Sequence, residues 1–122
     1  YWRRFDEGAA DIMVIGWQSD TQDSANFYEF LVMTQDPATG YGQYNAGNYS
    51  NSEVDRLTVA TQSMTDAKAR AAQLKSIEKI LQEDGAIVPL YWQHLSWAAR
   101  KGVAIEPVLN VIDMPYLGSN RG

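Results

Sequence analysis

The sequence predicts an α/β fold, and two regions carry that prediction. In residues 11–26, DIMVIGWQSDTQDSAN, the β-branched run Ile12–Ile15 stops at Gly16-Trp17 and passes into polar residues before an apolar helix start. That order indicates a strand, a loop and a helix. In residues 50–85, two capped stretches carry apolar residues at spacings of three and four, which indicates two helices. Ligands commonly bind in the loop at the carboxyl end of a strand in α/β proteins, so the loop after Trp17 is the candidate site.

The composition is that of an ordinary globular chain, with 122 residues, 45% hydrophobic residues and a formal net charge of −5. This negative charge argues against nonspecific binding to nucleic acid or to anionic membranes. The absence of Cys excludes disulfides, thiolate nucleophiles and cysteine-ligated metals. No apolar run approaches the roughly 18 residues that span a bilayer. The start at Tyr1-Trp2-Arg3-Arg4, with neither Met nor a signal-peptide pattern, predicts a piece of a longer chain.

Capping residues predict where the helices begin and end. Asp23 or Ser24 is expected to cap a helix over about residues 25–33. Ser50 and Glu53 fit the two partners of a capping box, which predicts a helix start there. Thr65-Asp66 is expected to begin a further helix that ends at Gly85. The predicted buried stripes are Val54, Leu57, Thr61 and Met64 in the first of these two helices, and Ala67, Ala71, Leu74, Ile77 and Leu81 in the second. The predicted outward-facing residues are Asp55, Arg56, Gln62, Lys75, Glu78, Lys79 and Gln82.

The remaining segments are predicted to be loops and short strands. Residues 35–48 contain Pro37 and three glycines without apolar periodicity, which predicts a long surface loop of the kind that often has a function. The apolar run Ala86–Trp92 predicts a strand in which Pro89 avoids a ladder partner, and residues 95–103 predict another. From about residue 106 to residue 122 an irregular tail is expected.

The sequence lacks the common enzyme motifs, including the P-loop, GxGxxG, HExxH and GxSxG. His94 is the single histidine, and a partly exposed strand or turn residue explains it better than a catalytic base. Asp20, Asp23, Asn26 and Glu29 could be imagined around a metal ion, but they lack the glycine and the terminal Glu of a calcium loop. We therefore expect no cofactor, no metal site and no catalysis.

Several aromatic residues and the carboxylate of Asp20 each allow two interpretations, one structural and one in ligand binding. Trp17, Tyr91, Trp92 and Trp97 fit a core, while lining of a ligand pocket remains the alternative for Trp92 and Trp97. Asp20 alone is either a turn carboxylate or a ligand-binding one.

Three stretches in this order resemble the C-terminal part of the extracytoplasmic solute-binding proteins of peptide and nickel ABC transporters. They are Gly16-Trp17-x-x-Asp20-x-x-Asp23-x-x-Asn26-Phe27, residues 49–57 (YSNSEVDRL), and residues 80–91 (ILQEDGAIVPLY). The resemblance covers about residues 11–105. Ser24 and Ser52 stand where Pro is usual, and both Pro and Ser suit a helix start.

The resemblance implies that residues 1–122 are the C-terminal fragment of one lobe of a two-lobed, type II periplasmic-binding-protein fold that closes on its ligand by a hinge. It implies that Asp20 pairs with the α-ammonium group of a peptide, and that backbone groups around Trp17 and Gln18 bond the peptide main chain. The implied partners are a peptide ligand, the remainder of the two-lobed protein and ABC permease subunits. The resemblance also implies a periplasmic or other extracytoplasmic location. Attachment to the membrane through a lipid at a missing N-terminus is one way in which such a protein is held there.

Alternatives remain for the ligand and for the class of protein. The same scaffold serves nickel chelates, opines or sugars, because a fold does not fix a function. A hydrolase that uses Asp20, Asp23 and His94 is the remote alternative, since it lacks a positioned nucleophile.

Overall fold

The computed structural model of the chain describes residues 1–9, 12–19, 21, 23–94, 96, 98–106 and 116–119. The chain divides into two compact units, Tyr1–Pro89 and Leu90–Gly122. Within the described residues, the first unit contains the helices α1 (Trp2–Asp6), α2 (Ser24–Leu31), α3 (Ser52–Thr61) and α4 (Ala67–Glu83). The second contains the strands β1 (Val103–Glu106) and β2 (Tyr116–Ser119). No helix in the described ranges is long and apolar enough to cross a membrane.

The predicted cap of α2 is confirmed. The Asp23 side chain accepts a hydrogen bond from the backbone N–H of Ala25 at 2.9 Å, and the helix follows from Ser24. The helix ends at Leu31, two residues earlier than the sequence predicted. Val32 and Met33 follow it and are buried, so the apolar pattern continues past the last helical turn.

The predicted capping box at the start of α3 is wrong. Asn51 is the N-cap, and its side-chain oxygen accepts from the N–H groups of Glu53 at 3.0 Å and Val54 at 3.3 Å. Ser50 instead shares a hydrogen bond with the Thr34 hydroxyl at 3.0 Å, and Glu53 pairs with Arg56 at 2.6 Å. An Asn next to a Ser offers an equally good cap acceptor, and tertiary contacts of the Ser decide between the two.

The ends of α4 are as predicted. Asp66 caps it by accepting from the Ala69 N–H at 2.7 Å, and Gly85 follows its end with a φ of +64°, a conformation that favours glycine. Its apolar stripe is buried only at Ile77 and Leu81, whereas Ala67 and Ala71 are exposed. The carboxyl half of α4 therefore anchors the helix.

The core of the first unit lies where α2, α3 and α4 meet, and consists of Tyr28, Val32, Val54, Ile77 and Leu81. Three residues that the sequence placed on the outward faces make contacts with other segments, and one of them, Gln62, donates to Glu29 at 3.0 Å. Asp55 accepts from both the N–H and the hydroxyl of Thr34, at 2.9 and 2.6 Å. Glu78 accepts from the Tyr28 hydroxyl at 3.1 Å, and burial together with the Glu78 charge raises the pKa of Tyr28. Carboxylates on a helix face thus accept hydrogen bonds from hydroxyls of a neighbouring segment.

Residues 35–48 are a loop, as predicted, with one isolated antiparallel bridge between Asp36 and Tyr41. The loop does not lie wholly on the surface, because Asn45 is buried and its side chain bonds the backbone on both sides of the loop. Its Nδ2 donates to the carbonyls of Met33 at 3.0 Å and Tyr49 at 2.7 Å, and its Oδ1 accepts from the Tyr49 N–H at 3.1 Å. One buried amide therefore fixes both ends of the loop.

The three predicted strands are not found in the described residues. Residues 12–15 and 86–92 are assigned to no strand, and strand β1 begins at Val103, where the last predicted strand was expected to end. Leu95 and Trp97 lie outside the described residues. Strand β1 pairs antiparallel with β2, with Val103 opposite Ser119. The predicted irregular tail is therefore wrong at residues 116–119, and its other residues after 106 lie outside the described ones. Assignment of the chain to one lobe of a larger fold stays a prediction.

Candidate functional site

The segment of residues 12–19 carries the predicted ligand-binding residues Trp17 and Gln18 and is half-buried on alternate residues, as in an extended chain. Met13, Ile15, Trp17 and Ser19 are half-buried, whereas Ile12, Val14, Gly16 and Gln18 are exposed. The exposed fraction reaches 88% for Ile12. This alternation is the pattern of a strand with one packed face. Within the described residues, however, Ile15, Gly16 and Trp17 make no backbone–backbone hydrogen bonds.

Trp17 is held in a cluster of aromatic rings. Its ring centroid lies 5.7 Å from that of Phe30 and 5.6 Å from that of Tyr44, and the last two rings are 6.3 Å apart. Its indole N–H donates to the side-chain oxygen of Asn26 at 3.1 Å. Tilted ring contacts at these distances are favourable and, together with the hydrogen bond, leave the indole little freedom to rotate. Trp17 is therefore a half-buried ring of defined orientation.

Tyr44 belongs to this site, although sequence reasoning did not find it. It lies in the loop of residues 35–48. Its backbone N–H donates at 2.8 Å to the carbonyl of Phe30, in the last turn of α2. The adjacent Asn45 anchors that part of the loop. No local sequence pattern indicates this role of Tyr44, because it depends on a contact with Trp17, which lies 27 residues earlier in the chain.

Two hydrogen bonds join the side chain of Ser19 to the backbone of Asp23. The Ser19 hydroxyl donates to the Asp23 carbonyl at 2.9 Å and accepts from the Asp23 N–H at 3.1 Å. These two bonds hold Ser19 against the start of α2.

Asp23 is also joined to α4. Its Oδ2 lies 2.7 Å from the Nη1 of Arg70, in an ion pair whose side chains are 35% and 25% exposed. Burial raises the pKa of Asp23, but the Ala25 hydrogen bond and the Arg70 charge outweigh it and hold the pKa below its usual value. Next to this pair is an open depression of about 330 Å³, lined by Thr21, Asp23, Ala25, Asn26, Glu29, Gln62 and Arg70.

The predicted site residues are only partly described. Trp17 and the exposed Gln18 are adjacent on the extended segment, whereas Asp20 lies outside the described residues. Trp97 also lies outside them. Trp92 is in the second unit with an exposed fraction of 94%, and its pocket role stays a prediction. His94 is exposed, and no group of three or more Asp, Glu or His side chains that could hold a metal ion occurs in the described part of the chain.

Comparison with known proteins gives one informative similarity. The chain is 26% identical over 110 residues to the probable deoxycholate-binding periplasmic protein YgiS of Escherichia coli (strain K12). The aligned region covers 88% of this chain, while the chain spans 19% of the length of that relative. No family model matches the sequence, and no solved structure shows significant similarity to it. The name of the relative describes a probable binding protein of the periplasm, so the chain is similar to part of a protein of the periplasmic binding type.

Proposed function

We propose that the chain is the C-terminal part of the substrate-binding component of an ABC importer. In this proposal the segment around Trp17 forms one wall of a cleft between two lobes, and the ligand is a peptide that is passed to a membrane permease. The protein works outside the cytoplasm, in the compartment named for its relative. The chain itself contributes binding and no chemistry.

Residues 15–17 support a peptide ligand, because they lie in a segment whose alternating burial is typical of an extended chain. Their backbone groups make no hydrogen bonds to other backbone within the described residues, and they run beside the exposed side chain of Gln18. An extended peptide can bond such a segment as an added strand. Main-chain bonds of this kind accept any side-chain sequence, which suits a transporter of peptides.

A carboxylate adds selectivity for one end of the peptide. Asp20 follows the extended segment in sequence and is assigned to the α-ammonium group of the ligand. Inside a closed cleft an ion pair is only weakly screened by salt, and a charge-assisted hydrogen bond contributes about 1.5–3 kcal/mol. That is enough to discriminate a free from a blocked amino terminus by roughly tenfold or more.

An amphipathic organic acid is a second candidate ligand, and the aromatic cluster favours it. The half-buried ring of Trp17 packs with Phe30 and Tyr44, and an aromatic cluster of this kind suits an apolar fused-ring compound. The relative is named as a binder of deoxycholate, which has such a ring system with a carboxylate. An anionic ligand of this type would not pair with Asp20, and this difference separates the two candidates.

Calorimetric titration of the full-length protein with three ligand sets tests the proposal. The sets are mixed short peptides with free amino termini, the same peptides N-acetylated, and deoxycholate. Saturable binding of the free peptides, weakened at least tenfold by acetylation, is the expected result. Binding of deoxycholate in place of both peptide sets would support the second candidate and contradict the first.

A further inference from the structure

Arg70 joins three helices that are separate in sequence. It projects from α4, its Nη1 pairs with Asp23 at the start of α2, and its Nε donates to the Thr61 carbonyl at 3.1 Å, at the last residue of α3. A cation beside the final carbonyls of a helix is favourable, as is neutralisation of a capping carboxylate. The planar guanidinium satisfies both partners at once because its nitrogens point in fixed directions.

A continuous set of hydrogen bonds leads from Arg70 to the indole of Trp17. Asp23 caps α2 through Ala25, and its carbonyl accepts from the Asn26 N–H at 3.2 Å. The Asn26 side chain in turn accepts from the Trp17 indole at 3.1 Å. Asp23 is bonded also to Ser19, two residues after Trp17. Movement of Asp23 would therefore disturb Trp17 from both sides.

We propose that Arg70 is a positioning residue for ligand binding, which fixes the orientation of the Trp17 indole through Asp23 and Asn26. The effect on affinity rests on the proposed function, but the effect on Trp17 does not. Arg70 touches no ligand in this proposal, and it acts only by restricting the start of α2 and the turn before it.

An ordinary surface ion pair would not have this effect, and the chain contains one for comparison. Arg56 and Glu53 are paired at 2.6 Å on one turn of α3, with side chains 64% and 52% exposed. Both partners belong to the same helix, so loss of that pair repositions no other element. Arg70 is less exposed than Arg56 and bridges separate elements. Arg56→Gln is therefore the matched control for Arg70→Gln.

The test uses ¹⁹F NMR of the full-length protein labelled with 5-fluorotryptophan. The Trp17 resonance is assigned by its loss in Trp17→Phe. We expect Arg70→Gln to shift or broaden the Trp17 resonance and to weaken binding of free-amine peptides by about threefold to tenfold, the range for loss of a partly buried pair. Arg70→Lys should restore part of the affinity, and Arg56→Gln should change neither readout.

Asp23→Asn provides a second variant, because it keeps the size of the side chain and an oxygen for the Ala25 bond while removing the charge. The same displacement of the Trp17 resonance is expected. A Trp17 resonance unchanged in both Arg70→Gln and Asp23→Asn would overturn the proposal. If none of the tested peptides binds the wild-type protein, the proposed function fails, while the resonance still decides the role of Arg70.

Discussion

The indole N–H of Trp17 donates to the side-chain oxygen of Asn26, nine residues further along the chain, at 3.1 Å. This bond connects the extended segment, where the predicted ligand-binding residues lie, to the first turn of α2. Because α2 packs on α3 and α4 through Tyr28, the orientation of Trp17 is tied to the core of the first unit. The candidate site is therefore an extension of the core that reaches the surface.

Two substitutions at Trp17 separate its ring from its hydrogen bond. Trp17→Ala removes the aromatic surface, and we expect it to weaken ligand binding by the full-length protein by roughly tenfold or more, as for a buried aromatic anchor. Trp17→Phe keeps a ring but loses the bond to Asn26, so a smaller loss is expected. Calorimetric titration measures both. Equal affinity of Trp17→Ala and wild type would exclude Trp17 from the ligand site.

Gly42 is a position where any side chain should disrupt the long loop. It has a φ of +65°, and an added Cβ would collide with the Met33 carbonyl oxygen and the Gln35 backbone. Because both neighbours are backbone, Gly42→Ala should reduce the free energy of unfolding by about 2 kcal/mol or more. Urea unfolding of the full-length protein measures the change.

Gly47 gives the control for that experiment, since it lies in the same loop and its Cβ would meet no atom within 4 Å. Gly47→Ala should leave stability unchanged or raise it slightly, by up to about 1 kcal/mol, because alanine restricts the unfolded chain. Equal losses in Gly42→Ala and Gly47→Ala would show that crowding at Met33 is not the cause.

The lowered pKa of Asp23 predicts how stability depends on pH. In the folded protein the Ala25 hydrogen bond and the Arg70 charge more than offset the effect of burial, so Asp23 holds its proton less tightly than in the unfolded chain. Its contribution is then complete above the unfolded pKa of about 3.9 and is lost as the pH falls through the folded pKa. Thermal unfolding measured from about pH 6 to about pH 3 should show that stability falls less steeply with acid in Asp23→Asn than in wild type. Identical acid profiles would mean that Asp23 is not paired in solution.

Local chemistry in the sequence was sufficient to predict α2, α3 and α4, whereas α1 was not predicted. Asp23 and Asp66 are caps with acceptor side chains just before an apolar pattern, and Gly85 ends its helix in the conformation that glycine favours. Each of these depends on contacts within one or two turns. Asn51 was missed because Ser50 offers the same chemistry one residue earlier, and its contact with Thr34 is long-range.

The strands and part of the site could not be predicted in this way. Residues 12–15 have strand composition, yet a strand exists only where a partner completes its ladder, and the described residues supply none. Tyr44, Asn45 and Arg70 reach the site from a loop and from the distant helix α4. Nothing in their local sequence indicates those contacts, because each depends on how the elements pack. The roles of Asp20, Trp17 and Gln18 came from resemblance to a family, and they stay predictions.

The assignment of Asp20 to the ammonium group of the ligand is tested by the affinity of Asp20→Asn, in the full-length protein, for free-amine and N-acetylated forms of one peptide. We expect wild type to prefer the free amine by roughly tenfold or more, and Asp20→Asn to lose this preference while still binding the acetylated form. If Asp20→Asn binds the free-amine peptide as tightly as wild type does, the assignment of Asp20 to the ligand's ammonium group is wrong.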